Sequence, residues 1–332
     1  MKMEQIETQV PTVMPVVIAP VEIEHSDTKR SSFIESNTIP GNFNEIKHNH
    51  IIPVFSNNEP LISHADFIDA AYSLTTDQFH GETILRPDIR VSHAVMGRIP
   101  DAKDKPAHLL LDWEKTLYYQ RMAFIIEIPS IQSTVDGNTL TLTIGGVRSF
   151  ADENLGSRNV CDQHFKCFIG FKNTVCCNMC VWTDGYMSDV RIKNIRQLKA
   201  AIRTLLESYN QNFHLHHLSK LVEYSLTEHQ FGQLIGKCRM YNHLPQSVKS
   251  TVTPILFGDQ QMNAVVKDFY KNESFCRDNN GNINLWKMYN LLTGTNKGSY
   301  IDSFLDKSVN AYSFTEQLRW ALEGKSESWY LN

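Results

Sequence analysis

Residues 121–185 read RMAFIIEIPSIQSTVDGNTLTLTIGGVRSFADENLGSRNVCDQHFKCFIGFKNTVCCNMCVWTDG, and this stretch decides the fold. Met122, Phe124, Ile126 and Ile128 alternate with Ala123, Ile125 and Glu127 up to the turn signal Asp136-Gly137-Asn138. Leu140, Leu142 and Ile144 then alternate with Thr139, Thr141 and Thr143. Period-two apolarity on both sides of a turn predicts a β-hairpin, here with a second strand that has one buried and one polar face. Gly145-Gly146 is expected to bend or bulge the strand end. Phe165, Cys167, Ile169 and Phe171 mark a third strand, Lys172-Asn173-Thr174 a turn, and Val175 to Trp182 a fourth strand that ends at Thr183-Asp184-Gly185.

Beyond Gly185 the period changes. Ile195, Leu198, Ile202, Leu205, Leu206 and Tyr209 fall on one helical face, and Leu215, Leu218, Leu221 and Val222 suggest a further helix. Thr227 and Gln230 form a capping-box pattern for another. Helices are also predicted from Asp259, over LWKMYNLL with a stop at Gly294, and from Ser313 to Gly324. Upstream, Ser63 caps a helix over HADFIDAAYSL, IRVSHAV reads as a strand and PDAKDKPAH as a loop. Strands followed by helices predict an α+β fold, an antiparallel sheet within about 121–185 and a largely helical C-terminal half. Residues 1–60, rich in Pro, Glu, Ser, Asn and Thr, read as a disordered or extended tail whose VMPVVIAP and HIIPVF clusters could dock on the body. Residues 61–332 are expected to form a single domain, sheet-rich over 84–185 and helical over 190–332.

The 332 residues are 42% hydrophobic and 20% charged, enough for a substantial core. No apolar run reaches the roughly 18 residues of a spanning helix, and the start lacks the pattern of a signal peptide, so a cytoplasmic protein is expected. The formal charge of −4 is matched by the first 60 residues alone, leaving a near-neutral remainder that neither demands nor excludes a polyanionic partner. An odd seven cysteines make a disulfide framework improbable.

Cys161, His164, Cys176 and Cys180 offer metal-ligand chemistry, but strand alternation puts Cys167 and Cys177 on one face and Cys176 and Cys180 on the other, which favours packing. No cofactor is predicted. His214, His216 and His217 read as a surface cluster. Lys193, Arg196, Lys199 and Arg203 line the polar face of an amphipathic helix. With Arg148, Arg158 and Lys172 from the sheet they could form a phosphate-contacting surface, and Trp182, Tyr186 or Phe150 could stack on bases. A solvated helix face has the same pattern. The run TGTNKGS lacks the Walker order, and no other catalytic signature is present, so an enzyme is unsupported.

IRVSHAVMGRIPDA, IGGVRSFADENL, FKCFIGFKNTVCCNMCVWTDG, FGQLIGKCRMYNHLP and LWKMYNLLTGTNKGSYIDSFLD, in that order, resemble the bacterial domain-of-unknown-function family DUF3871 over about His48 to Asn332. The sequence is more distantly similar to phage- and plasmid-associated proteins. The resemblance implies a mobile-element setting and no activity. Its motifs direct attention to Gly145, Gly146 and Cys177, and to Asn173, Asn178, Asn296, Lys297, Ser299, Tyr300 and Asp302 as candidates for a polar pocket, because a buried polar group needs a partner or a ligand. Three functions follow as expectations: binding of single-stranded nucleic acid without catalysis, interaction with a host protein through the tail and sheet, and an enzyme with a pocket at TNKGSYID.

Overall fold

The computed structural model describes residues 32–50, 61–151, 153 and 162–332, all within one compact unit, Ser32–Asn332. Its centre is the predicted hairpin. With strands and helices numbered in chain order, β1 is Ile39–Pro40, β2 Asp88–Val91, β3 Ala94–Arg98, β4 Lys115–Tyr119, β5 Arg121–Val135, β6 Asn138–Ser149, β7 Gln163–Asn173, β8 Met179–Cys180 and β9 Tyr186–Ile192. The helical half adds the short pair β10 (Ser225–Leu226) and β11 (Ile283–Asn284). The helices are α1 (Phe43–His48), α2 (His64–Gln78), α3 (Ile195–Ser208), α4 (Gln211–Lys220), α5 (Glu228–Tyr241), α6 (Gln246–Lys249), α7 (Asp259–Lys271), α8 (Leu285–Asn296) and α9 (Ile301–Leu322). The main sheet is antiparallel in the order β1-β2-β5-β6-β7-β8, with β9 also on β7, so the fold is α+β. None of the described helices is long and apolar enough to cross a membrane.

Strand alternation divides the core in two. Phe124, Ile126, Ile144, Phe165, Ile169 and Phe171 share one cluster with Phe67 and Leu74 of α2 and Leu198 and Ile202 of α3. Ala123, Ile125, Val147 and Phe168 share the other with Phe33, Ile34 and with Ile301, Phe304 and Leu305 of α9. Helices therefore cover both faces, and Thr141 and Thr143 are buried as well, which corrects the expected polar face of β6. Thr143 satisfies its hydroxyl by donating to the Thr141 carbonyl at 3.0 Å.

Gly145 and Gly146 neither bend nor bulge β6, which pairs continuously through Ser149. The irregularity lies between Ile128 and Gln132, where Pro129 has no N–H to give the ladder. The glycines make room instead: a Cβ on Gly145 would meet the Phe168 ring at 2.8 Å, and one on Gly146 would meet the Phe67 ring, already edge-on to Phe124 and Phe165 at 5.0 and 4.9 Å. Consecutive residues thus admit a ring from α2 on one face and from β7 on the other.

The expected fourth strand shrinks to β8. Cys177 takes the left-handed conformation (φ +56°), and its N–H donates to the Asn173 carbonyl at 2.8 Å, which curls 174–178 into a turn. Phe171 lies opposite Cys180 in the register, so Cys180 shares the face of Cys167; the inferred split between those two is corrected. IRVSHAV divides at Ser92-His93 between β2 and β3. Helix α8 continues past Gly294 to Asn296, and α9 begins at Ile301, well before Ser313. The N-cap of α2 at Ser63 and the capping box of α5 at Thr227 are as predicted, and Asp66 completes a capping box at the first as well. Within the segment expected as a tail, Phe33 and Ile34 are buried and α1 buries Ile46 beside α2.

Strands β3 and β4 form a separate two-stranded arm, Val95 opposite Tyr118 and Met96 opposite Leu117, joined by 3-10 turns. The arm exposes Val95, Met96, Leu109, Leu111, Trp113 and Leu117.

Candidate nucleic-acid interface

Helix α3 starts where Asn194 accepts the Gln197 N–H at 3.1 Å, and Gln197 Oε1 in turn accepts the Lys193 N–H at 2.8 Å. Leu198, Ile202, Leu205 and Leu206 anchor it in the core. At about 100° per residue, Arg196, Lys199 and Arg203 fall within roughly 60° of one another on a face that flanks the buried stripe. With Lys193 they are exposed, and none of the four pairs with a carboxylate among the described residues. Lys199 and Ile195 border a hollow of about 360 Å³ with Asp66, Asp69, Tyr72 and Ser73 of α2. A larger hollow of about 610 Å³ shares Asp69 and Tyr72 and reaches Arg86. Asp69 already pairs with Lys47 at 3.3 Å, and Asp66 accepts from the Ser63 hydroxyl and N–H in the α2 capping box.

The other basic candidates do not join this face. Arg148 is 1% exposed, lies 4.4 Å from the rings of both Phe150 and Phe165, and donates to Glu153 at 3.0 Å, to Gln163 at 2.9 Å and to the Ile62 carbonyl. Burial pulls its pKa below the usual arginine value, with Glu153 opposing. Lys172 pairs with Glu127 at 2.5 Å and is largely covered. Arg158 lies outside the described residues. The proposed stacking rings are also unavailable: Trp182 and Phe150 are buried, and the half-buried Tyr186 donates its hydroxyl to Asp306 at 2.6 Å. Arg148, Lys172 and the aromatic platform are therefore corrected to structural roles.

The polar pocket candidates form a seam between sheet and helices. Asn173 Nδ2 donates to Asn290 Oδ1 at 3.3 Å, and Asn178 Nδ2 donates to the Asn290 carbonyl at 3.0 Å. Asn296 Nδ2 donates to Ser308 Oγ and the Phe304 carbonyl, both at 2.9 Å, while Lys297 donates to the Cys176 carbonyl. Ser299 accepts from Gln261 at 3.0 Å, Asp302 accepts from Arg121 at 3.0 Å, and Tyr300 is exposed. None of them lines either hollow.

Cys161 lies outside the described residues, and His164 turns to the Ser188 carbonyl and Asp189. Among the described residues no group of three His, Cys, Asp or Glu side chains is placed to hold a metal. Burial pushes Cys167 up to about 12 and Cys176 up to about 11, and Cys180 higher still, so these thiols stay protonated near neutrality.

His214 belongs to no surface cluster. It is fully buried among Phe171, Trp182 and Tyr312, with Nδ1 2.6 Å from the Tyr209 hydroxyl, while His217 stands 3.2 Å from Glu316. Burial first, then His217, lowers His214 to about 3; burial, then Arg148, lowers His64 to about 3. Unfolded imidazoles return to 6.5, so between these values the unfolded state binds more protons and stability rises with pH. The contribution is complete above 6.5 and is lost as pH falls towards 3, at up to about 1.4 kcal/mol per pH unit for each histidine. Urea titrations between neutral and mildly acid pH should show that slope, reduced by one proton in His214→Gln.

Sequence reasoning missed Glu153, Gln163 and Asn290, the partners of these buried groups; only Glu153, five residues after Arg148, offered a local cue. A protein-family model described as a domain of unknown function, "B. Theta Gene description", matches residues 15–331. No curated protein and no solved structure matches.

Proposed function

The chain belongs to that family, DUF3871, and because a domain of unknown function brings no activity with it, we propose a role from the α3 face: a non-enzymatic protein that holds nucleic acid, single-stranded DNA first, by its phosphates. The observation that carries this reading is the set Lys193, Arg196, Lys199 and Arg203, exposed and without carboxylate partners among the described residues, on a helix whose other side is locked in the core. A cation already neutralised by a neighbour releases no counterions on binding, whereas an unpaired one does. With Trp182 and Phe150 buried, the contact is to the backbone, sequence-tolerant and without base stacking. The mobile-element setting rests on the resemblance alone and suits such a role.

Fluorescence anisotropy with a labelled oligothymidine at several salt concentrations tests this reading. A single strand contributes a slope of about −0.7 per neutralised phosphate in log K against log salt, so four contacts give about −3. Arg196→Glu with Lys199→Glu should weaken binding and roughly halve the slope. Absence of binding at low salt overturns the reading.

A further inference from the structure

Sixteen large apolar side chains are exposed among the described residues, and six of them fall between Val95 and Leu117. The other ten are distributed from Leu85 to Trp320, as on any soluble surface. Concentration of this kind marks a contact surface. Met96, 60% exposed, faces Leu117 across the ladder, so the two present one continuous apolar strip. Leu109, Leu111 and Trp113, the last 67% exposed, extend it through the connection.

We propose that this arm is a self-association surface on which a second copy of the chain docks arm to arm. Two observations select that occupant. The first is charge. Ala94 to Tyr119 contains four basic and four acidic residues, and Lys105–Glu114 and Lys115–Asp112 are already paired at 2.7 Å each. A net-neutral ribbon with half of its charges internally paired gives no long-range attraction to nucleic acid or to an anionic membrane, yet two such ribbons approach without like-charge excess. The second is area. At roughly 150–250 Å² for an aromatic side chain and less for an aliphatic one, the exposed fractions of Met96, Leu109, Leu111, Trp113 and Leu117, leaving out Val95 on the other face of the ribbon, amount to on the order of 450 Å² of apolar surface. That is close to the roughly 800 Å² per partner of a standard interface once the surrounding polar rim is added. A two-fold arrangement lets the same strip serve on both sides.

The proposal is independent of the α3 reading and has its own test. Sedimentation velocity of the full chain from nanomolar to high micromolar concentration should show a dimer that dissociates on dilution. The Trp113 contribution to emission, taken as the difference from Trp113→Phe, should shift to the blue as the dimer forms. Met96→Asp with Leu117→Asp should weaken association by at least about thirtyfold, the effect of losing a single hot-spot side chain, with unchanged far-ultraviolet circular dichroism. Trp113→Ser is the second variant should the charged pair impair folding. A chain that stays monomeric throughout overturns the proposal, and so does a dimer that persists in both variants. A monomer whose Trp113 shifts on phosphatidylcholine vesicles, or on addition of an unlike protein, assigns the arm to that occupant and also overturns it.

Discussion

Arg148→Ala lowers the unfolding free energy by about 3–5 kcal/mol, the scale on which removing one partner of a buried ion pair acts. The guanidinium and the Glu153 carboxylate are both sealed from solvent, so the variant leaves a carboxylate with neither water nor counter-charge. The Ile62 carbonyl and Gln163 Oε1 lose a donor at the same time, and the apolar stem that packs on Phe150 and Phe165 disappears. Removing both charges should cost less than removing one: Arg148→Met with Glu153→Leu recovers much of the loss, because two apolar chains need no compensation. Chemical denaturation measures all three proteins. An Arg148→Ala variant within about 1 kcal/mol of the parent would show that the pair is not buried in solution.

Gly145→Ala is expected to cost at least about 3 kcal/mol, the upper end for forcing atoms into a packed core. The new methyl would enter the Phe124 carbonyl oxygen on the neighbouring strand, and backbone hydrogen-bonded into a ladder has no room to yield. Gly146→Ala meets the Phe67 ring and, at 2.9 Å, the Lys166 carbonyl oxygen. The sign reverses elsewhere. An alanine at Gly232, in α5 with nothing within 4 Å of its Cβ, should add up to about 1 kcal/mol through helix propensity. Thermal melts of the three variants separate crowding from a general intolerance of glycine replacement; equal losses at Gly145 and Gly232 would refute the crowding argument.

Features carried by local periodicity could be read directly from sequence. The β5–β6 hairpin, its Asp136-Gly137 turn with both φ values positive, the caps at Ser63 and Thr227 and the amphipathic α3 each depend on a few adjacent residues. What depended on a distant element could not. Thr141 and Thr143 look solvent-facing yet are buried beside the pair that their register partners Lys172 and Glu127 form, and His214 looks exposed until Trp182 and Tyr312 close over it. Arg148 was equally consistent with a phosphate contact, because its partner Gln163 and the Ile62 carbonyl come from the next strand and from before α2. The α3 cations were legible because their surroundings are solvent, which adds nothing that sequence lacks. Asp112 and Glu114 each pair with a lysine, while Trp113 between them is the group left uncovered.

The boundaries of the main sheet bear on how copies of this chain can meet. An unpaired outer strand offers its amides and carbonyls to any passing segment, and proteins block such growth with short or proline-bearing rims. Here β1 on one side is two residues long and ends in Pro40, which has no amide hydrogen to donate. On the other side β9 lies along the first part of β7 and β8 along its end, so one returning segment caps that strand in two pieces. Sheet-to-sheet growth is discouraged at the β1 rim and at β8, each two residues long, which leaves β9 as the longer outer strand.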